Sequence, residues 1–149
     1  MATTQQALLS TVERQALALA VHVTYMEIFP SPSIERRLAV LEPNSYVAVT
    51  CSPTHGVDVT LEFTERLVAR GFRVVPHIAA KMVRNHAHLR DIVRRLDDQG
   101  VESIFVPGGD APQPLGKYAA ALELLRDIAS LDHRFRHIGI AAQIGRAHV

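Results

Sequence analysis

A single cysteine, Cys51, rules out an internal disulfide framework and fits a reducing cytosol. A net charge of only +1 leaves no electrostatic case for a nucleic-acid or membrane-surface partner. A local basic cluster, "DHRFRH" at Asp132 to His137, reads as a solvated loop rather than an anion site. No apolar run approaches the roughly 20 residues that a membrane span requires. The opening "MATTQQALLSTVERQALALAVHV" lacks the basic start and unbroken apolar stretch of a secretory signal. These absences predict a cytoplasmic chain. What is present suits one globular domain: 149 residues, 48% of them hydrophobic and 21% charged, are enough to bury a real core.

Along the chain, short β-rich runs alternate with longer amphipathic ones. "HVTYMEIF" (His22 to Phe29), "YVAVTC" (Tyr46 to Cys51), "RVVPHIA" (Arg73 to Ala79), "SIFVPG" (Ser103 to Gly108) and "HIGIAA" (His137 to Ala142) read as strands. Several are nearly continuous in apolar residues, as in a parallel sheet covered on both faces. Between them, Val57, Leu61, Phe63, Leu67 and Val68 line one side of a helix that Gly71 ends. A second helix starts at the cap Asn85, buries Leu89, Ile92, Val93 and Leu96, and stops at Gly100. "GKYAAALELLRDIASL" (Gly116 to Leu131) is rich in strong helix formers. A shorter helix starts near Ser33 and ends at Pro43, and an extra one over Thr4 to Ala20 precedes the first strand. Four strand–helix units and a fifth strand fit two architectures. One is a doubly wound five-stranded sheet; the other is the first half of a (β/α)8 TIM barrel, which normally needs roughly 250 residues. The missing cover for the last strand favours the truncated barrel.

Polar residues gather where strands end and loops begin, the edge at which both architectures bind ligands. Glu27 lies in the first strand among Met26, Ile28 and Phe29. It is either an outward-facing or paired strand residue, or a general acid kept protonated by apolar surroundings. Thr50 and His77 occupy equivalent strand ends, where a lone histidine is more often structural than a ligand. In "VPGGDAPQP", Gly108 and Gly109 remove side chains so that a flat ligand can approach the backbone, and Asp110 offers an acceptor at the rim. The same three residues also make an ordinary turn. Gly116, Lys117, Tyr118 and Ala119 open a predicted helix whose free N–H groups favour phosphate. His86 and His88 stand two apart and diverge, so no metal site is expected. Cys51 has no activating neighbour in sequence and reads as an inert thiol.

Taken in order, "MEIFPSPS", "YVAVTCS", "VVPHIAAK", "GVESIFVPGGDAP", "KYAAALELL" and "HIGIAA" resemble the methylenetetrahydrofolate reductase family from about Thr24 to Ala142. The resemblance implies a (β/α) barrel holding FAD at the C-terminal ends of its strands, with NADH or NADPH as electron donor and a folate as substrate. It implies a cytoplasmic enzyme of one-carbon metabolism whose parent forms a homo-oligomer. By position, Glu27 matches the proton donor to the folate, and Asp110 the aspartate that lies near flavin and folate. Thr50 and His77 match flavin contacts; Tyr118 and Ala119 match positions on the adenine side of FAD.

Two departures accompany it. Familiar members carry Arg-Gly-Asp where this chain has Gly108-Gly109-Asp110, so one polar contact to the cofactor is missing. After the fifth strand the family continues with Tyr-Pro-Glu, whereas here Gln143 to Val149 follow. That string is what the codons of a short-read sequencing adapter would encode. The expectation is therefore a barrel half over residues 1–142 and a non-native tail over 143–149.

Overall fold

A computed structural model of the chain describes residues 25–141. The helix expected over Thr4 to Ala20, the start of the first expected strand and the tail from Gln143 lie outside them. The elements run β1 (Tyr25–Ile28), α1 (Pro32–Arg37), β2 (Tyr46–Val49), α2 (Gly56–Ala69), β3 (Arg73–Pro76), α3 (His86–Asp98), β4 (Ser103–Val106), α4 (Ala121–Ala129) and β5 (His137–Ile140), with one-turn helices at Leu38–Val40 and Ala80–Met82. The fold is mixed α/β with parallel strand pairing.

Strand neighbours follow chain order. β1 pairs with β2, β2 with β3, and β4 with β5, all parallel. A bridge between His77 and Phe105 joins the two groups. The break between β3 and β4 has a chemical cause. His77 N–H donates to Val49 O at 2.8 Å, toward β2, whereas Ile78 and Ala80 N–H donate to Phe105 O and Pro107 O, toward β4. Alternation assigns residue 76 to the β4 side, and Pro76 has no N–H to give. The β3–β4 ladder therefore closes only beyond the proline, at the strand ends.

The helices make the core on one face. Val47, Val49, Val74, Phe63 and Leu67 form one buried cluster with Ile28 and Leu38; Ile78, Ile104 and Val106 join Leu61, Leu89, Ile92, Leu96, Leu124 and Ile128 in another. Ala48, Val75 and Phe105 alternate with these and fall on the opposite face. β5 carries less cover: Ile138 and Ile140 are 37% and 55% exposed.

The helix signals hold where local chemistry sets them. Asn85 Oδ1 accepts from His88 N–H at 2.8 Å, capping α3 as its position predicts. Gly71 and Gly100 take φ of +86° and +70° just past α2 and α3, the left-handed closure that glycine allows without strain. Two boundaries move. Helix α1 starts earlier than Ser33, because Ser31 Oγ accepts from Ile34 N–H and Pro32 takes the first helical position. The helix expected from Gly116 starts instead at Ala121.

Candidate functional site

The ends of β2, β3 and β4 bring the expected polar residues to one edge. Extending the β2–β3 register by one residue sets Thr50 beside His77, and His77 bridges to Phe105. The rings of His77 and Phe105 meet at 4.7 Å between centroids, tilted by 47°. On β5, Gly139 makes room for that phenylalanine: an added Cβ would lie 2.8 Å from Phe105 Cδ2. Glu27 takes the register position beside Ala48, which itself pairs with Val75, two residues before the Thr50–His77 row.

Thr50 is buried, and its hydroxyl donates to Ile28 O at 3.0 Å, while its N–H donates to the same carbonyl at 2.9 Å. It ties the end of β2 to β1, and an oxygen lone pair is what it can offer a ligand. Behind it, Thr60 Oγ1 donates to Thr50 O and Gly56 O, and Thr64 Oγ1 donates to Thr60 O, so these buried helix hydroxyls have partners. Burial raises the Cys51 thiol, although hydrogen bonding to the Ala79 backbone and Thr60 opposes it, and the group stays protonated at neutral pH.

The loops after β3 and β4 are fastened together. Ala80 N–H donates to Pro107 O and Lys81 N–H to Gly108 O; in return Leu115 N–H donates to Lys81 O. Gly109 has φ +96°, and a Cβ there would meet Ala79 Cβ at 3.1 Å. An added Cβ on Gly108 meets nothing within 4 Å, which leaves open backbone at the strand end. Asp110 is exposed at the rim of this turn. The backbone is thus open on the Cβ side of Gly108, whereas Gly109 packs against Ala79 within the loop.

Tyr118 and Ala119 are placed differently. Tyr118 is 1% exposed and lies in the core with Met82, Val83 and Ala111. Its hydroxyl donates to Asp127 Oδ2 at 2.8 Å, and Lys117 Nζ reaches the same oxygen at 2.6 Å while lying over the ring. Burial, then the Asp127 carboxylate, raise the phenol well above its usual range. Lys117 and then Tyr118 hold Asp127 below the ordinary carboxylate value. Ala119 is exposed, but Glu123 Oε2 accepts from its N–H at 2.7 Å and from Ala120 N–H at 3.4 Å. The N–H groups expected to favour phosphate are therefore already capped from within the helix.

A raised phenol couples folding to pH. The stability it carries is present below the unfolded pKa near 10 and is lost as pH rises from there through the folded value. Wild type should lose stability above about pH 10 by this route, and Tyr118→Phe should lose the alkaline slope. At neutral pH that variant should cost about 1 kcal/mol for the missing hydrogen bond. Urea unfolding at pH 7 and at alkaline pH measures both; an unchanged slope in the phenylalanine variant would assign the effect elsewhere.

Sequence reasoning missed one polar cluster. His88, buried at the start of α3, accepts from Arg84 N–H through Nδ1 at 3.1 Å, which leaves Nε2 to donate to Asp58 Oδ1 at 3.1 Å. Arg84 Nη1 donates to Asp58 Oδ2 at 2.7 Å. Partial burial pushes Asp58 up, but its bonds to Arg84 and His88 outweigh that and hold it below the usual carboxylate value. The cluster joins α2 to α3. Among the described residues, no three histidine, cysteine, aspartate or glutamate side chains gather as a metal ion would need.

Two clefts of 390 and 400 Å³ lie away from the strand-end row and share Asp97 and Arg134; Val101 and Glu102 line the first, Arg90 and Leu131 the second. Arg134 donates to the Asp97 carbonyl, and Arg136 pairs with Glu102. Neither includes a residue from the expected site. Among the described residues no helix is long and apolar enough to cross a membrane. No family model matches the chain.

Proposed function

We propose that this chain is the N-terminal part of a flavin-dependent methylenetetrahydrofolate reductase, built as the first half of a (β/α) barrel. The observation that carries the reading is the row of Thr50, His77 and the Gly108–Asp110 turn at the ends of parallel strands in chain order. A doubly wound sheet reverses its order at a switch point and binds there. The described strands run from first to fifth without a reversal, as in a barrel.

The strand-end residues fit a flavin. Gly108 is open backbone, His77 and Phe105 offer a tilted pair of rings, and Thr50 keeps oxygen lone pairs. Tyr118 and Ala119 fit less well, since the phenol and the amide are occupied within the chain; the exposed Ala119 surface remains for contact with the adenine side. When bound, the flavin supplies hydride transfer between NADH or NADPH and the folate. The chain's part is orientation and proton placement. Glu27 delivers a proton to the folate as its ring opens, and Asp110 supplies an acceptor at the rim between the two ligands.

Titration of the full chain with FAD, followed by quenching of flavin fluorescence, tests the reading. Saturable binding is expected, weakened about tenfold in His77→Ala, the worth of roughly one hydrogen bond or ring contact. A chain that circular dichroism shows to be folded, yet leaves FAD fluorescence unchanged at millimolar protein, overturns it.

A further inference from the structure

We propose that Lys81 is the positioning residue of this site, clamping the Gly108–Asp110 turn and so fixing Asp110; its functional half rests on the reading just given. Lys81 meets the turn and the loop beyond it through three separate groups. Its N–H donates to Gly108 O at 3.0 Å, its carbonyl accepts from Leu115 N–H at 2.8 Å, and its ammonium donates to Ala111 O at 3.0 Å. Only the last belongs to the side chain, and it lands on the residue next to Asp110.

Each neighbour makes the clamp necessary. Asp110 is exposed. An added Cβ on Gly108 would meet nothing within 4 Å, and Gly109 carries no side chain to anchor the turn. A loop of such residues opens easily unless something holds it. Lys81 is half-buried, so its ammonium bond to a carbonyl is charge-assisted and partly shielded from water. Lys81 lies in the one-turn helix Ala80–Met82 after β3, directly behind the buried Ala79 and Ala80, so the clamp starts from a segment that is itself packed in the core.

The experiment uses the full chain with Lys81→Met, which keeps the stem and removes the donor, and Lys81→Arg, which restores one. Hydrogen exchange should speed up about tenfold for the Ala111, Gln113 and Leu115 amides in Lys81→Met and keep its wild-type rate elsewhere, with Lys81→Arg near wild type. The Gly109 amide signal, shifted by its positive φ, should move toward the flexible-chain position in Lys81→Met alone. If Lys81→Met does not fold, Lys81→Leu, which also lacks a donor, is read in the same way. The clamp is overturned by unchanged loop exchange, by equal acceleration at every amide, or by an arginine variant that behaves like the methionine one. FAD titration of the same proteins separates the two ideas. Weaker binding in Lys81→Met with rescue by Lys81→Arg supports a positioning role. Wild type that leaves FAD unbound, with the exchange pattern as expected, overturns the flavin reading and leaves only the clamp.

Discussion

In the full-length reductase proposed here, Glu27→Gln should slow the folate half-reaction by about 10²–10⁴-fold, the usual contribution of a positioned general acid. The nicotinamide half-reaction should continue at its normal rate. Glutamine keeps the length and shape of the side chain but cannot release a proton to the substrate nitrogen whose bond breaks. The placement behind this expectation is the register: Glu27 pairs with Ala48, itself level with Val75, two residues before the row of Thr50 and His77. Asp110→Asn should behave differently and disturb both half-reactions, because it stands at the turn that the two ligands would share. Stopped-flow spectroscopy with each substrate alone resolves the halves. Equal slowing of both by Glu27→Gln would make Glu27 a structural residue and end its assignment as proton donor.

What the sequence made legible was local chemistry acting over a few residues. The stops at Gly71 and Gly100 and the cap at Asn85 need only a backbone hydrogen bond or a positive φ, and both are present. The strand ends at Thr50 and His77 follow from apolar runs whose limits are written in composition. Effects that join distant residues were not legible. Gly116 to Ala120 have helix-favouring neighbours, yet α4 begins at Ala121 because Glu123 turns back to bond Ala119 and Ala120 N–H. His88 looked idle until the fold brought Asp58 from 30 residues away. Pro76 sat in a clear β run, and only strand alternation reveals that its missing N–H falls on the β4 side. The pairing of Gly139 with Phe105 is likewise a fact of register, and no one-dimensional signal marks it.

Gly116→Ala should be the most damaging small substitution in the described chain, costing about 3 kcal/mol or more of folding stability. A Cβ at that position would be driven into the Arg84 carbonyl, 2.5 Å from its carbon and 2.7 Å from Val83 O. These are backbone atoms, which cannot rotate aside as a side chain would, so the segment itself must move. Its neighbours resist. Leu115 N–H is bonded to Lys81 O at 2.8 Å, and Tyr118, two residues on, is anchored in the core with its hydroxyl on Asp127. Either the 115–81 bond is lost or the tyrosine is displaced, and each adds about 1 kcal/mol to the steric cost. For a chain of this length, 3 kcal/mol corresponds to a melting temperature lower by roughly 6–12 °C. Gly108→Ala is the control, since an added Cβ there meets nothing within 4 Å, and it should stay within about 0.5 kcal/mol of wild type. Urea unfolding of the three proteins decides the matter. If both alanine variants unfold at the same midpoint, the loop yields at Gly116, and the rigidity attributed to the segment between Lys81 and Tyr118 is wrong.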